Sequence, residues 1–315
     1  LKDVIGNYET ESKQNDDNST IALIDSGVDM NHPLLKSNIG LELAKDYTSD
    51  SLNFNDTLGH GTQVAGIIAS IAPNSKIIPY KVLGETNGKS IWVIQSIIDA
   101  AEDNIDVINL SLGTYLSKSN KESKVLIKSY EKAIKYAKKL GSVVIASAGN
   151  DSSNLDELKV RNEFHLPGGS HHLITVSSNS KRNTLSSYSN YGKEIDFSAP
   201  GGDLGADYES SGFLDISEMI ITTYPSDRPN TYLDQLIGIP QGYTLSVGTS
   251  LSTPQVSAAV ALIVSEYRNK KKKNLNVNQI EKYLKDGSID LGDKGKDIYF
   301  GEGKINVHNS LKAIK

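Results

Sequence analysis

The sequence predicts an α/β fold of three layers, in which a mostly parallel central sheet is covered by helices on both faces. Short runs of β-branched and aliphatic residues recur along the chain, and segments of helical periodicity lie between several of them. Strands that alternate with helices are typical of parallel sheets, because each crossover must return the chain to the same edge. The alternation continues from residue 20 to about residue 290 without a linker or a repeat, so we expect residues 1–315 to form a single domain.

Six apolar runs are predicted to form strands of this sheet. Their content of Ile, Val, Leu and Ala is that of parallel strands, which are buried on both faces and have no polar side. They comprise residues 20–25, 76–83, 106–112, 142–148, 173–178 and 219–224.

Other segments are predicted to form helices, loops and an N-terminal arm. The helices comprise residues 60–70, 90–102, 124–140 and 250–268. The loops, which are polar or rich in Gly and Pro, comprise residues 114–123, 151–163, 201–217 and 225–243. Residues 8–19 are polar, and we expect residues 1–19 to form a flexible arm.

The composition excludes several classes of site. The formal net charge is −5 and the pI is about 5.7, whereas nucleic-acid-binding proteins usually carry a basic surface. The chain has no cysteine, which excludes thiol catalysis, cysteine-based metal sites and disulfides. The apolar run in the strongest helix, residues 258–264, is far too short to span a bilayer. We therefore expect neither a nucleic-acid partner nor a transmembrane segment.

Three polar residues occupy positions where an α/β protein places its chemistry. Asp25 ends the first predicted strand, His60 lies between two glycines at the start of a helix, and Ser250 opens the last predicted helix. Each also has an ordinary explanation, since Asp and Ser often cap turns and helices. Taken together they indicate nucleophilic catalysis, because serine needs a base and the base needs a carboxylate that holds its tautomer. Asp, His, Ser is also one of the known chain orders of such triads.

A fourth stretch follows the predicted strand at residues 142–148. This strand runs directly into Gly149 and Asn150. A side-chain amide at the end of a strand can donate a hydrogen bond to a developing oxyanion, and a preceding glycine lets a substrate backbone approach. A plain Gly-Asn turn is the alternative for this dipeptide alone.

Six motifs, in this order, resemble those of the subtilisin-like serine proteases, or subtilases. The sequence also ends in a way similar to the close of a subtilase catalytic domain, so the resemblance extends from about residue 20 to the C-terminus. The motifs are DSGVD (25–29), GHGTQVAG (59–66), NLSLG (109–113), SAGN (147–150), SAPGG (198–202) and GTSLSTP (248–254).

The resemblance implies a subtilisin-like fold and a serine endopeptidase that acts through an acyl-enzyme intermediate. In such an enzyme Asp25 orients the imidazole of His60, which is the general base and then the acid. Ser250 is the nucleophile. Asn150 and the backbone N–H of Ser250, at a helix N-terminus, form the oxyanion hole.

The resemblance also implies where an extended peptide substrate binds. Ser111, Leu112 and Gly113 look like the edge strand that pairs with the substrate backbone. The first specificity pocket is expected to be lined by Ser147, Ala148, Gly149, Asp151 and His165. Within the family, the compact loops are similar to those of lantibiotic leader peptidases. Asp151, with Glu157 and Glu163, suggests cleavage after a basic residue.

Cofactors, partners and location follow from the same resemblance. No cofactor is expected to be required, and calcium is doubtful, because Leu34 stands where an aspartate ligand is expected and residues 68–77 lack the longer calcium loop. The expected partners are a peptide or precursor peptide and the protein's own propeptide, and the expected location is secreted or on the bacterial surface. The alternative function is a catalytically silent, subtilase-like binding module on the cell surface. The four chemically competent positions argue against that alternative.

Overall fold

A seven-stranded parallel sheet forms the centre of the protein in the computed structural model, which describes residues 2–5, 19–48, 54–86 and 88–314. The strand order is β2-β3-β1-β4-β6-β8-β9, and every neighbouring pair is parallel. These strands are β1 (Thr20–Asp25), β2 (Lys45–Asp46), β3 (Lys76–Lys81), β4 (Val107–Leu110), β6 (Val143–Ser147), β8 (Ile174–Asn179) and β9 (Phe197–Pro200). The expected α/β class with a parallel sheet is confirmed.

Two antiparallel strand pairs lie outside this sheet. One joins β5 (Thr114–Ser117) to β7 (Glu163–Leu166), and the other joins β10 (Ile220–Thr223) to β11 (Tyr243–Ser246). Residues 219–224 were expected in the central sheet, and that expectation is wrong. A short β-branched run fits a hairpin as well as a buried parallel strand, so periodicity alone does not separate them.

Helices cover both faces of the sheet and form the outer two layers. On β1, Ile21 and Leu23 pack into a core shared with α2 and α8, whereas Ala22 and Ile24 face α3 and α4. This alternation follows from the two-residue period of a strand. The helices are α1 (Lys2–Ile5), α2 (His60–Ile71), α3 (Ser90–Glu102), α4 (Lys121–Leu140), α5 (Leu155–Val160), α6 (Tyr208–Ser211), α7 (Tyr232–Leu236), α8 (Thr249–Lys271), α9 (Val277–Gly287) and α10 (Val307–Lys312).

The predicted N-terminal arm is wrong for its first residues. Lys2–Ile5 form the helical turn α1, and Val4 is fully buried in the core that also holds α10. Val4 and the partly buried Ile5 both pack against this core, and the apolar surface that they remove from water stabilises the turn. Residues 6–18 of the predicted arm lie outside the described residues.

The sheet reverses its direction of growth at β1, which lies between β3 and β4. The chain places β2 and β3 on one side of β1 and all later strands of the sheet on the other. In open α/β sheets, a crevice forms beyond the carboxyl ends of the strands at such a switch point. Asp25, the last residue of β1, therefore stands at the position where this architecture places a site.

Candidate active site

Asp25 and His60 meet at the carboxyl edge of the sheet. Asp25 is fully buried at the end of β1, and His60 is the first residue of α2. His60 Nδ1 lies 2.8 Å from Asp25 Oδ1, so the ring donates its Nδ1 proton to the carboxylate and leaves Nε2 as an acceptor. Burial alone would lower the pKa of His60, but the Asp25 carboxylate outweighs burial and raises that pKa above its ordinary value. The pair can therefore act as an oriented base.

A second buried carboxylate, Asp56, holds the backbone around this pair. Its partners are the hydroxyl groups of Ser26 and Thr62 and the backbone N–H groups of Leu58, Gly59 and Thr62, at 2.7–3.1 Å. Gly59 has no side chain with which to cap α2, so Asp56 accepts the N–H of Thr62 and Ser26 Oγ accepts the N–H of Gly61. Its charge also contributes to the raised pKa of His60. The sequence analysis missed Asp56, although an acidic residue just before a helix start is a recognisable signal.

Ser250 lies in the first turn of α8 and is half-buried. Its hydroxyl donates to the carbonyl oxygen of Ser111 at 3.0 Å, and no hydrogen bond joins it to His60 among the described residues. The contact is reciprocal, because Ser111 Oγ donates to the Ser250 carbonyl at 2.9 Å. That carbonyl is free because its normal helical donor would be residue 254, and Pro254 has no N–H. Pro254 is the sixth residue of α8 and therefore lies beyond the opening turn.

Asn150 lies beside the N-terminus of α8. Its side-chain oxygen accepts the backbone N–H of Thr249 at 2.9 Å and the hydroxyl of Thr249 at 2.8 Å. The amide oxygen is thereby occupied, and the Nδ2 group remains available as a donor. The N–H of Ser250 belongs to the first turn of α8, where backbone donors have no partner in the preceding helix. Two donors of the kind that stabilise an oxyanion thus flank the serine.

The predicted substrate-binding edge, residues 111–113, connects β4 to β5 and belongs to neither strand. Ser111 is buried by its contacts with Ser250, Leu112 is half-buried and Gly113 is exposed. This segment is therefore a short extension beyond the sheet rather than a formed edge strand. A bound peptide backbone can complete it by strand addition.

His165, one of the residues predicted to line the specificity pocket, is buried among three glycines. A Cβ placed on Gly113 would lie 2.3 Å from its Nε2, and one on Gly149 would lie 3.0 Å from the same atom. Gly168 adjoins its Nδ1 on the other side and also packs against the Ser147 carbonyl. Burial lowers the pKa of His165 to about 4, and its buried Nδ1 has no hydrogen-bond partner among the described residues. The ring is therefore neutral at pH 7.

Asp151 stands exposed on the rim of this pocket. Its Oδ2 accepts the hydroxyl of Tyr115 at 2.5 Å, and that hydroxyl accepts Nδ2 of Asn190 at 2.8 Å. Asn190 also donates to the carbonyl of the buried Ala148 and so holds the turn that contains Asn150 and Asp151. The sequence analysis missed Tyr115 and Asn190, because residues so distant along the chain leave no local pattern.

The other two acidic residues proposed for the pocket do not join Asp151 in these hydrogen bonds. Glu163 forms an exposed ion pair with Arg161, 3.7 Å apart, and Glu157 is an exposed residue of α5. Exposed charges of this kind interact weakly with a ligand because solvent screens them. Asp151 is exposed as well, but it differs from these two residues because Tyr115 holds its carboxylate at the turn that follows Asn150.

No cluster of three or more His, Asp or Glu side chains suited to a metal ion occurs in the part of the chain that the structure describes. Leu34, at the position where the resemblance leads one to expect an aspartate, is 41% exposed. Of the helices within the described ranges, none is long and apolar enough to cross a membrane.

A parallel α/β sheet with a hydrogen-bonded His–Asp pair at its switch point is an architecture typical of α/β enzymes. Residues 16–303 match the sequence model of the subtilase family. The chain therefore belongs to the subtilase family and is a serine protease.

Three known proteins are particularly similar to the chain. The epidermin leader peptide-processing serine protease EpiP of Staphylococcus epidermidis is 32% identical, over 93% of this chain and 68% of that protein. The nisin leader peptide-processing serine protease NisP of Lactococcus lactis is 30% identical over 84% of this chain, which spans only 42% of that relative. The chain in a crystal structure of a lanthipeptide protease is 42% identical in sequence to this one. The two structures align with a TM-score of 0.91, over 96% of this chain and 90% of that chain.

Proposed function

We propose that this subtilase removes the leader segment of a lantibiotic precursor by hydrolysing a peptide bond. The observation that supports the substrate class is the 42% identity to a lanthipeptide protease over nearly the whole chain. Similarity to the epidermin and nisin leader proteases points the same way. The His60–Asp25 hydrogen bond and the position of Ser250 at the start of α8 support the proposed reaction.

In the proposed reaction, Ser250 Oγ attacks the substrate carbonyl carbon while His60 Nε2 takes the hydroxyl proton. The hydroxyl must first turn away from the Ser111 carbonyl, which is a rotation about one side-chain bond. Asp25 keeps the Nδ1 proton in place and stabilises the imidazolium that forms. The C–O bond to Ser250 is then made, and the carbonyl oxygen carries the negative charge.

Asn150 Nδ2 and the N–H of Ser250 are proposed to bind that oxyanion. When the intermediate collapses, His60 gives its proton to the leaving amine and the peptide bond breaks. The acyl group remains on Ser250 until a water molecule, deprotonated by His60, attacks it in turn. The second collapse releases the carboxylic acid and restores the serine hydroxyl.

The substrate backbone is proposed to pair with residues 111–113, with its first side chain in the pocket around His165. A preference for a basic residue before the cleaved bond depends on Asp151, since Glu163 is paired with Arg161. Asp151 is exposed in the free protein, so the bound substrate side chain itself must shield the pair from water. A charge-assisted hydrogen bond shielded in this way is worth about 1.5–3 kcal/mol. The hydroxyl of Tyr115 already uses part of the acceptor capacity of Asp151, so a preference near the lower end of that range is expected.

The activity is tested with a lantibiotic precursor peptide and mass spectrometry. The wild-type protein should release one leader fragment, and Ser250→Ala should release none while keeping its circular dichroism spectrum. A serine-specific phosphonate probe should label the wild type and not the variant. Failure of both cleavage and labelling would favour the catalytically silent binding module instead.

The specificity is tested with matched peptides that carry Arg, Leu or Glu before the cleaved bond. Arg should give a kcat/KM roughly tenfold above Leu, and Asp151→Asn should remove most of that advantage. If Leu equals or exceeds Arg, the basic preference is wrong. If Glu is cleaved best, Asp151 does not govern recognition at this position.

A secreted or surface-bound form, released from its own propeptide, is part of the same proposal. It rests on the subtilase resemblance and on a substrate class that is an exported product. N-terminal sequencing of protein recovered from culture medium and cell wall tests it. Recovery of the protein in the cytoplasm alone would contradict the location, and equal processing of the wild type and Ser250→Ala would contradict self-cleavage of the propeptide.

A further inference from the structure

A groove of about 530 Å³ lies between α4 and the antiparallel pair of β5 and β7, and none of the proposed catalytic or pocket residues lines it. Its lining includes Lys118, Lys124, Lys128, Lys132 and Phe164, and we call it the lysine groove. All four of these lysines are exposed. A strongly basic groove is unexpected on a chain whose formal net charge is −5.

Three of these lysines form one stripe on α4. Lys124, Lys128 and Lys132 follow each other at intervals of four residues, so their side chains share one face of the helix. Like charges at this spacing repel each other and destabilise the helix. Within the described ranges, none of the three forms an ion pair. An anionic ligand would relieve this repulsion.

The rest of the lining adds little negative charge. Glu131 is the single acidic residue among the described residues that line the groove. Lys159 forms an ion pair with Glu194, so it does not add free positive charge. Lys118 lies 4.1 Å from the centre of the Phe164 ring, a cation–π contact that holds its ammonium group over the groove. The groove therefore combines apolar surface with the three unpaired ammonium groups of α4 and with the ammonium group of Lys118, which the Phe164 ring holds in place.

The lysine groove lies on the path that continues the proposed substrate-binding edge. The chain runs from residues 111–113 directly into β5 and then into Lys118. A substrate paired antiparallel to residues 111–113 runs the opposite way, so its residues upstream of the cleaved bond pass alongside β5. Both chains advance about 3.3 Å per residue. The upstream segment would therefore reach Lys118 roughly seven residues before the bond and the α4 lysines a few residues earlier.

We propose that the lysine groove binds an acidic segment of the substrate's leader, located roughly seven to twelve residues upstream of the cleaved bond. This inference rests on the proposed function, in which the enzyme acts on a leader attached to the N-terminal side of that bond. Recognition is by carboxylates against lysine ammonium groups, with apolar contacts to Phe164. The groove thereby adds selection for a precursor over a short peptide with the same cleavage site.

The test compares two synthetic peptides on the full chain. The short one has eight residues around the cleaved bond, and the long one adds an upstream Gly/Ser spacer and five glutamates at the predicted distance. At low salt the long peptide should have a kcat/KM about tenfold higher, mainly through a lower KM, as two or three exposed ion pairs would supply. The advantage should largely disappear in 0.5 M salt, an ionic strength at which the Debye length is only about 4–5 Å.

Charge reversal separates the groove from general electrostatics. Lys124→Glu/Lys128→Glu should abolish the advantage of the long peptide and leave cleavage of the short peptide unchanged. Lys135→Glu/Lys139→Glu is the matched control, because these lysines have the same spacing on α4 and lie outside the groove lining. Equal losses in both variants, or no advantage of the long peptide in the wild type, would overturn the proposal. Failure of the wild type to cleave even the short peptide would contradict the proposed function instead.

Discussion

The side-chain oxygen of Asn150 accepts two hydrogen bonds from Thr249, one from its backbone N–H at 2.9 Å and one from its hydroxyl at 2.8 Å. An asparagine amide that is free to rotate could present either its oxygen or its nitrogen to a substrate. Here Thr249, the residue before Ser250, removes that choice. The donor end of the amide is thereby oriented before any substrate arrives, which is the condition for effective stabilisation of an oxyanion.

Asn150→Ala is expected to lower kcat by roughly 10²–10³, the loss known for removal of the corresponding donor in a subtilisin. KM should hardly change, because the hydrogen bond forms only in the transition state. Asn150→Asp is the matched variant, since it keeps an acceptor for Thr249 and lacks the donor. It should be as slow as the alanine variant. A raised KM with unchanged kcat would contradict the assignment of Asn150 to the oxyanion hole.

The activity of the protein should depend on pH through His60. In the proposed mechanism His60 must be neutral to accept the serine proton, and the Asp25 carboxylate raises its pKa above the ordinary value. We therefore expect kcat/KM to be low in acid and to rise with pH through that pKa. The profile is measured with a peptide substrate that does not titrate in the same range.

Asp56→Asn is expected to move the rise of kcat/KM with pH to lower pH values. Loss of a negative charge near His60 makes the imidazolium less stable and so lowers the pKa of His60. It should also lower the free energy of unfolding by about 1–3 kcal/mol, since five hydrogen bonds to a buried carboxylate are weakened. A merely structural role would lower stability without moving the pH profile. An unmoved profile would therefore contradict the electrostatic role of Asp56.

Gly113→Ala is expected to impair both substrate binding and stability. The added Cβ would lie 2.3 Å from Nε2 of His165, so the ring must move in a tightly packed pocket. Overpacking of this kind costs about 1–3 kcal/mol. The measurement is a thermal unfolding midpoint together with kcat/KM. Adding His165→Ala should restore much of the lost stability, and additive losses in the double variant would show that the clash is not the cause.

Activity should survive dilute peroxide. A methionine beside the nucleophile would be oxidised to a bulky sulfoxide, but the residue after Ser250 is the fully buried Leu251. Met30 and Met219 are the two methionines of the sequence, and neither is among the proposed catalytic residues. Residual activity is measured over time against a subtilisin with methionine at this position. Equally rapid loss in both enzymes would contradict the prediction.

Chelation is expected to have little effect on thermal stability. Leu34 offers no ligand at the position where the family resemblance leads one to expect an aspartate, and residues 68–77 are short. The unfolding midpoint is measured with EDTA and with added calcium. A large drop in EDTA would show a tightly bound ion, because a ligand that binds only the folded state stabilises it.

The sequence predicted strands well where they are apolar, and it predicted helices well where they are long. The predicted helix at residues 90–102 has the same bounds as α3, and the first predicted strand has the same bounds as β1. The predicted loop at 114–123 contains β5, whose partner β7 is nearly fifty residues away. Its strand character depends on that distant pairing, which the local sequence does not encode.

Only part of the candidate site could be predicted, because some of its contacts also join residues that are distant in the sequence. Asp25, His60, Asn150 and Ser250 lie in short motifs, so each could be recognised locally. Asp56 and Tyr115 act through hydrogen bonds that depend on the fold, and Tyr115 reaches Asp151 only because β5 pairs with β7. His165 was predicted to line the pocket from its motif, but its contacts with Gly113, Gly149 and Gly168 depend on the fold.

Helix α8 carries Ser250 in its first turn and packs most of its following residues into the main core. Core helices open to solvent only when the whole domain unfolds, whereas surface loops open far more often. A molecule that has opened enough for a neighbour to cut α8 has therefore already lost the position of its own nucleophile. Autolysis through this helix therefore requires global unfolding and coincides with loss of activity, whereas a neighbouring molecule can cut an exposed loop while the rest of the domain stays folded.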